Sequence, residues 1–227
     1  MNTIYTPQEA FDKLSEIEGS VIITGVIEAA SDTEKALMQP MFGVGDTLSS
    51  SFKLYFHWFN IVHELSHIIT AKNGIPNNDL LTTEWMVNKI ATAFWRTFGD
   101  DDVYQRLVEV VKKARQSIPN PVPGNTNFEE FYANYSDMED DTMLLYAYFQ
   151  FTLVDRALSL TNDIYSVLEE YGLKTREIAC DLTQYDHNSG AQEVVDAAIS
   201  AFRDMGIEVP DVTVIFCSNP NVHCAPK

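Results

Sequence analysis

Basic residues are scarce in this chain. Only 15 of its 227 residues are lysine or arginine, against 33 aspartates and glutamates, so the formal net charge is −18. Phosphate backbones are bound by basic surfaces, so neither DNA nor RNA is expected as the main partner. An anionic membrane surface is excluded on the same ground. Most of the negative charge reads as solvated surface that keeps the chain soluble. Cysteine is nearly absent: Cys180, Cys217 and Cys224 are the full set. An odd, low count without an export signal points to reduced thiols in a cytoplasm. The segment Met1 to Leu14 has neither the basic nor the apolar region of a signal peptide. Long apolar runs are missing as well. The longest, Met143 to Val154, ends at Asp155 and Arg156 and is too short for a membrane span. There is no repeat and no low-complexity tract.

What remains is an ordinary globular composition, 45% hydrophobic and 21% charged, in a chain long enough to bury a core of its own. Pro7 after Thr6 opens a helix. Ser20 to Glu28 is β-branched and reads as a strand at the edge of a small sheet. Residues 29–50 read as mixed, with Pro40, Gly43 and Gly45 marking a loop. A long, mostly buried helix is expected over Phe52 to Lys72, closed by Asn73 and Gly74. Thr82 or Thr83 caps a second helix reaching about Phe98, and a third spans Asp101 to Ser117. Pro119 to Asn127 is a loop and the best internal boundary. Thr142 to Tyr171 reads as an enclosed helix. A strand over Glu177 to Leu182, a helix over Ser189 to Met205 and a strand over Val212 to Cys217 suggest a small βα unit. The expected fold class is α+β: residues 1–227 as one helix-rich domain with a small sheet.

The informative run is His63-Glu64-Leu65-Ser66-His67, set inside a strong helical pattern. Histidines at i and i+4 lie one turn apart on one face, so both imidazoles reach a single metal ion. Glu64, between them, sits where a carboxylate accepts a proton from a metal-bound water. Catalytic zinc needs a third protein ligand and an open fourth position. Glu84, 17 residues after His67 in the first turn of the next helix, is the best candidate. Asn88, one turn further on, is placed to hydrogen-bond the far nitrogen of a ligating histidine and fix its tautomer. At 100° per residue, Lys53, His57, Asn60, Glu64 and His67 form a polar stripe on an otherwise apolar helix. Such a stripe needs partners, which a metal and a water-filled cleft would supply.

His63-Glu64-x-x-His67 followed by Glu84-x-x-x-Asn88 resembles the gluzincin metallopeptidases, and within them is most similar to the small intracellular ImmA/IrrE-like members. The resemblance covers about residues 61–98. It implies a zincin-like domain in which His63, His67 and Glu84 hold Zn2+, Glu64 is the general base, and Asn88 supports the first histidine. It also implies hydrolysis of peptide bonds in a peptide or protein substrate. Ser66 stands where many small members have glycine. Two other classes stay open: a catalytically inactive binding or regulatory protein on the same scaffold, and a metal-dependent hydrolase of a non-peptide bond.

Other polar residues carry less. His57 is about two turns from Glu64, roughly 10 Å along the axis and too far to share its ion, so a cleft-wall or core role is expected. Cys217, His223 and Cys224 do not have a usual zinc spacing. Tyr185 and His187 are possible donors to a transition state, but nothing distinguishes them from Tyr146, Tyr148 or His223. The acidic run Asp137 to Asp141 reads as a solvated helix start.

Overall fold

The structure is a computed structural model and describes residues 3–14, 16–76, 79–133 and 143–219. The fold class is the expected one, α+β and rich in helix, with one small sheet. The sheet has three parallel strands, β1 (Ile4–Tyr5), β2 (Ser20–Gly25) and β3 (Val212–Cys217), in the order β1-β3-β2. β2 is therefore an edge strand, paired to β3 from Ser20↔Val212 to Gly25↔Cys217. Side chains alternate across a strand, and here each face meets a different partner. Ile22, Val212 and Val214 enter the main core. Ile23, Ile215 and Cys217 pack with Ala10 of α1 (Pro7–Leu14). The sheet thus lies between α1 and the helical body, as a parallel sheet with two apolar faces requires.

The site rests on two helices of that body. α2 (Asp32–Phe42) and α3 (Asp46–Lys53) lead into a π-helical turn, Leu54–Phe59, which runs on into α4 (Asn60–Lys72). All six side chains of the π turn are buried. α5 (Leu80–Phe98) returns along α4 and is followed by α6 (Asp101–Ser117), α7 (Phe128–Ala133), α8 (Met143–Leu158), α9 (Ile164–Glu170) and α10 (Ala191–Asp204). α4 packs on α5, α10 and β2, while α5 also packs on α8 and α9. Trp58 of the π turn stacks on Trp95 of α5 with ring centroids 4.0 Å apart, clamping the entry of one helix to the end of the other. One hydrophobic cluster takes in residues on both sides of the 119–127 loop, among them Ile118 and Phe128.

Several expectations are corrected. The strand ends at Gly25, because residues Ile27–Ala29 turn into a 3₁₀ helix. The 29–50 stretch is mainly helical. Ser31 and Glu34 form a reciprocal capping box that starts α2, and Pro40 is tolerated near its end. The long helix therefore begins before Phe52 and is wound differently through Leu54–Phe59. Asp79, not a threonine, caps α5 by accepting from Thr82 N. The single helix expected over Thr142 to Tyr171 is two helices across its described residues, 143–171, since Asp163 caps a new start by accepting from Ser166 N. Residues 177–182 form no strand. Their backbone finds partners in the body instead: Leu182 N donates to Phe98 O and Ile178 N to the Tyr165 hydroxyl. The acidic run Asp137 to Asp141, His223 and Cys224 lie outside the described residues. Among the described residues no helix is long and apolar enough to cross a membrane, and Cys180 and Cys217 are free thiols.

Candidate metal centre

α4 carries His63 and Glu64 on one turn and His67 on the next, and α5 brings Glu84 against them. The helix spacing puts both imidazoles on one face, and their rings stand edge to face with centroids 5.0 Å apart. Because Asp79 starts α5 at Leu80, Glu84 lies in the second turn rather than the first. Its Oε2 is 3.3 Å from His63 Nε2, and its Oε1 is 3.4 Å from His67 Nε2. One ligand atom from each of His63, His67 and Glu84 lies within 4.8 Å of the others, so the group could hold a metal ion.

The arrangement fits a tetrahedral cation on two counts. Ligands on an ion with bonds of about 2.0–2.1 Å are separated by roughly 3.3–3.4 Å, the spacing of both histidine–carboxylate pairs. The far nitrogen of His63 is also engaged: Nδ1 donates to Asn88 Oδ1 at 2.9 Å. A neutral ring holding its proton on Nδ1 leaves the Nε2 lone pair facing Glu84. Asn88 is fully buried, so this contact is not shared with solvent.

Electrostatics tie the group together. Burial pushes the Glu84 carboxyl up, but hydrogen bonds and charge from His63 and His67 outweigh it and hold the group well below the usual carboxylate range. Burial pushes His63 down, and the hydrogen bond and charge of Glu84, with help from Glu64 and Asn88, reverse the shift so that it ends raised. The two directions agree: without metal, an anionic Glu84 and a protonated His63 stabilise one another, and a bound cation would take the place of the Nε2 proton.

The centre is enclosed on one side and open on the other. His63 and Glu84 are buried, whereas the His67 side chain keeps 24% of its surface exposed. A cleft of about 810 Å³ reaches Glu64, His67 and Glu84. Its walls are Ser20, Val21 and Ile22 of β2, the carboxy-terminal half of α4 and the start of α5. Glu64 lies on this open side, with Oε1 accepting from Asn60 Nδ2 at 3.2 Å.

The polar stripe resolves differently from the expectation. His57 is buried and donates from Nε2 to Gly25 O at 2.8 Å, and Lys53 pairs with Glu28 at 2.7 Å. Protein groups satisfy these two, so only Glu64 and His67 of the stripe reach the cleft. A fixed 100° step also does not apply across a π turn. Tyr185 and His187 are engaged elsewhere: Trp58 Nε1 donates to Tyr185 O, and Arg106 donates to His187 Nδ1. Tyr146 is close instead. Burial raises its pKa well above the ordinary value, and the charges of Glu84 and Glu64 add to this.

Gln150 of α8 is the residue that sequence reasoning missed. Its Nε2 donates to Glu84 Oε2 at 2.7 Å. A signal was present: Gln150 is a lone amide in the apolar run Met143 to Val154, and a buried amide must find partners. Comparison with known protein families, with curated proteins and with solved structures finds no match to this chain.

Proposed function

We propose that the protein is a zinc-dependent peptidase of the gluzincin type, with His63, His67 and Glu84 as the ligands and Glu64 as the general base. The observation that carries this reading is the placement of an unligated carboxylate, Glu64, on the open side of a two-histidine, one-glutamate centre and in the same cleft. A structural site closes its coordination sphere, whereas a catalytic one keeps a position free.

A bound zinc ion would polarise the scissile carbonyl and acidify water at the open position. Glu64 takes the proton from the attacking water as the new C–O bond forms. It then delivers that proton to the amide nitrogen as the C–N bond breaks, so a carboxylic acid and an amine leave. Asn60 holds one Glu64 oxygen and leaves the other for the water. β2 supports a peptide as the substrate. It is an edge strand that borders the cleft, and such an edge offers unpaired backbone donors and acceptors to an extended chain.

The test is Glu64→Gln. This variant keeps the size of the side chain but loses the base. Zinc content and melting temperature should stay close to those of the parent, and hydrolysis should fall by roughly 10²- to 10⁴-fold. A mixed peptide library, read by mass spectrometry for new termini, reports the activity. Equal cleavage by both proteins would remove Glu64 as the base. Absence of cleavage by zinc-loaded parent across a broad panel would favour a binding protein on the same scaffold.

A further inference from the structure

Behind the three ligands runs a directed chain of hydrogen bonds. His63 Nδ1 donates to Asn88 Oδ1 at 2.9 Å. Asn88 Nδ2 donates to Gln150 Oε1 at 3.4 Å. Gln150 Nε2 donates to Glu84 Oε2 at 2.7 Å and to the Tyr146 hydroxyl at 2.9 Å. The chain starts at one candidate ligand, ends at another and passes through two carboxamides on different helices. His63, Asn88, Gln150 and Glu84 are all buried, so each group depends on its neighbour rather than on water.

Every step points the same way, and chemistry fixes the direction. An ionised carboxylate only accepts. Gln150 must therefore turn its NH2 toward Glu84, which leaves its carbonyl for Asn88. Asn88 must then give its own NH2 to that carbonyl, which leaves Oδ1 for His63. His63 must in turn carry a proton on Nδ1, which frees Nε2 for a metal. Reversing Gln150 would set its carbonyl against the Glu84 carboxylate and its NH2 against that of Asn88, two buried repulsive contacts. Bonds aligned in this way also polarise one another.

We propose that Gln150 is a positioning residue that couples two metal ligands, anchoring Glu84 and, through Asn88, setting the tautomer of His63. This rests on the metal-site reading above. Glu84 and His63 then act as one unit, organised by a residue 62 positions beyond Asn88 in the chain.

The experiment is a double-variant cycle read as Co2+ and Zn2+ affinity, by chelator competition on the full chain. Gln150→Met keeps length and volume but removes both amide ends. It should weaken metal binding by about 10- to 100-fold, as should Asn88→Ala. Because both residues act through one chain of bonds, the double variant should lose little more than the worse single one. Thr152→Val, a buried neighbour on the same helix whose hydroxyl has no partner among the described residues, is the control. It should leave affinity unchanged and combine additively with Asn88→Ala. The visible spectrum of the Co2+-loaded chain should shift in Gln150→Met and not in Thr152→Val.

Additive losses for Gln150→Met and Asn88→Ala, to within about 2- to 3-fold, would overturn the coupling while leaving the metal site standing. Parent-like binding by Gln150→Met would do the same. A parent that binds neither ion would overturn the metal-site reading itself, and the coupling with it. Gln150→Leu is the second variant should Gln150→Met not fold. If neither folds without metal, Gln150 serves the core and the proposal fails.

Discussion

Loading and stripping the metal should move the melting temperature of this protein by an amount that can be worked out beforehand. A ligand that binds only the folded chain stabilises it by about 2.7 kcal/mol at 100 times Kd and about 4.1 kcal/mol at 1,000 times Kd. For a chain of this length each kcal/mol is worth roughly 2–4 °C. Zinc at those ratios should therefore raise the midpoint by roughly 5–16 °C over protein held in chelator. Glu84→Ala should show two separate losses. Without metal, it leaves the buried Gln150 Nε2 without its carboxylate acceptor, which costs about 1–3 kcal/mol and so roughly 2–12 °C. With metal, the zinc-induced rise should largely vanish, because a centre of two histidines and one glutamate has lost its only anionic ligand. Differential scanning calorimetry on parent and variant, each with zinc and with chelator, separates the two losses. Elemental analysis of protein purified without added metal gives the stoichiometry, expected to be one zinc per chain. A parent midpoint that is the same in zinc and in chelator would refute the reasoning. So would a zinc-induced rise in Glu84→Ala equal to that of the parent, which would place the third ligand elsewhere.

Two further outcomes concern the scaffold. Burial pushes the His57 imidazole below its ordinary pKa, and Lys53 adds to this while Gly25 O and Glu28 oppose it. Below about pH 6.5 the unfolded chain therefore binds a proton that the folded chain refuses. This share of stability is complete above that pH and is lost as pH falls toward the folded pKa, at up to about 1.4 kcal/mol per pH unit. Denaturant titrations between about pH 5 and pH 7, a range that spans the ordinary histidine pKa, should show a shallower slope of stability against pH for His57→Gln than for the parent, and equal slopes would refute the assignment. Gly99→Ala should destabilise by about 1–3 kcal/mol. A Cβ there would sit 2.7 Å from Trp95 O and 3.0 Å from the Trp95 ring, which is itself stacked on Trp58. An unchanged chemical denaturation midpoint would show that the helix end gives way at little cost.

The local part of this protein was legible along the chain. His63 and His67 share a face because four residues make about one helical turn, whatever surrounds them. The acidic start of α6 at Asp101, the Pro119 to Asn127 loop and the β-branched run of β3 were equally legible, since caps, turn residues and alternation act within a few positions. The capping box at Ser31 and Glu34 and the cap at Asp163 were written in the same local code but were outweighed by Pro40, Gly43 and a long apolar run. The rest depends on contacts between segments distant in the chain. Residues 177–182 have strand-like composition, yet strands need a neighbour, and this segment's backbone is taken up by the helical body. The π turn arises where six consecutive side chains are all enclosed, a condition no single period encodes. Gln150 joins the site only because α8 packs on α5 and a buried carboxylate demands a donor there. The spacing of the histidines could be read along the chain. The amide that donates to Glu84 beside them comes from a helix far along it, and only the packing of the helices brings the two together.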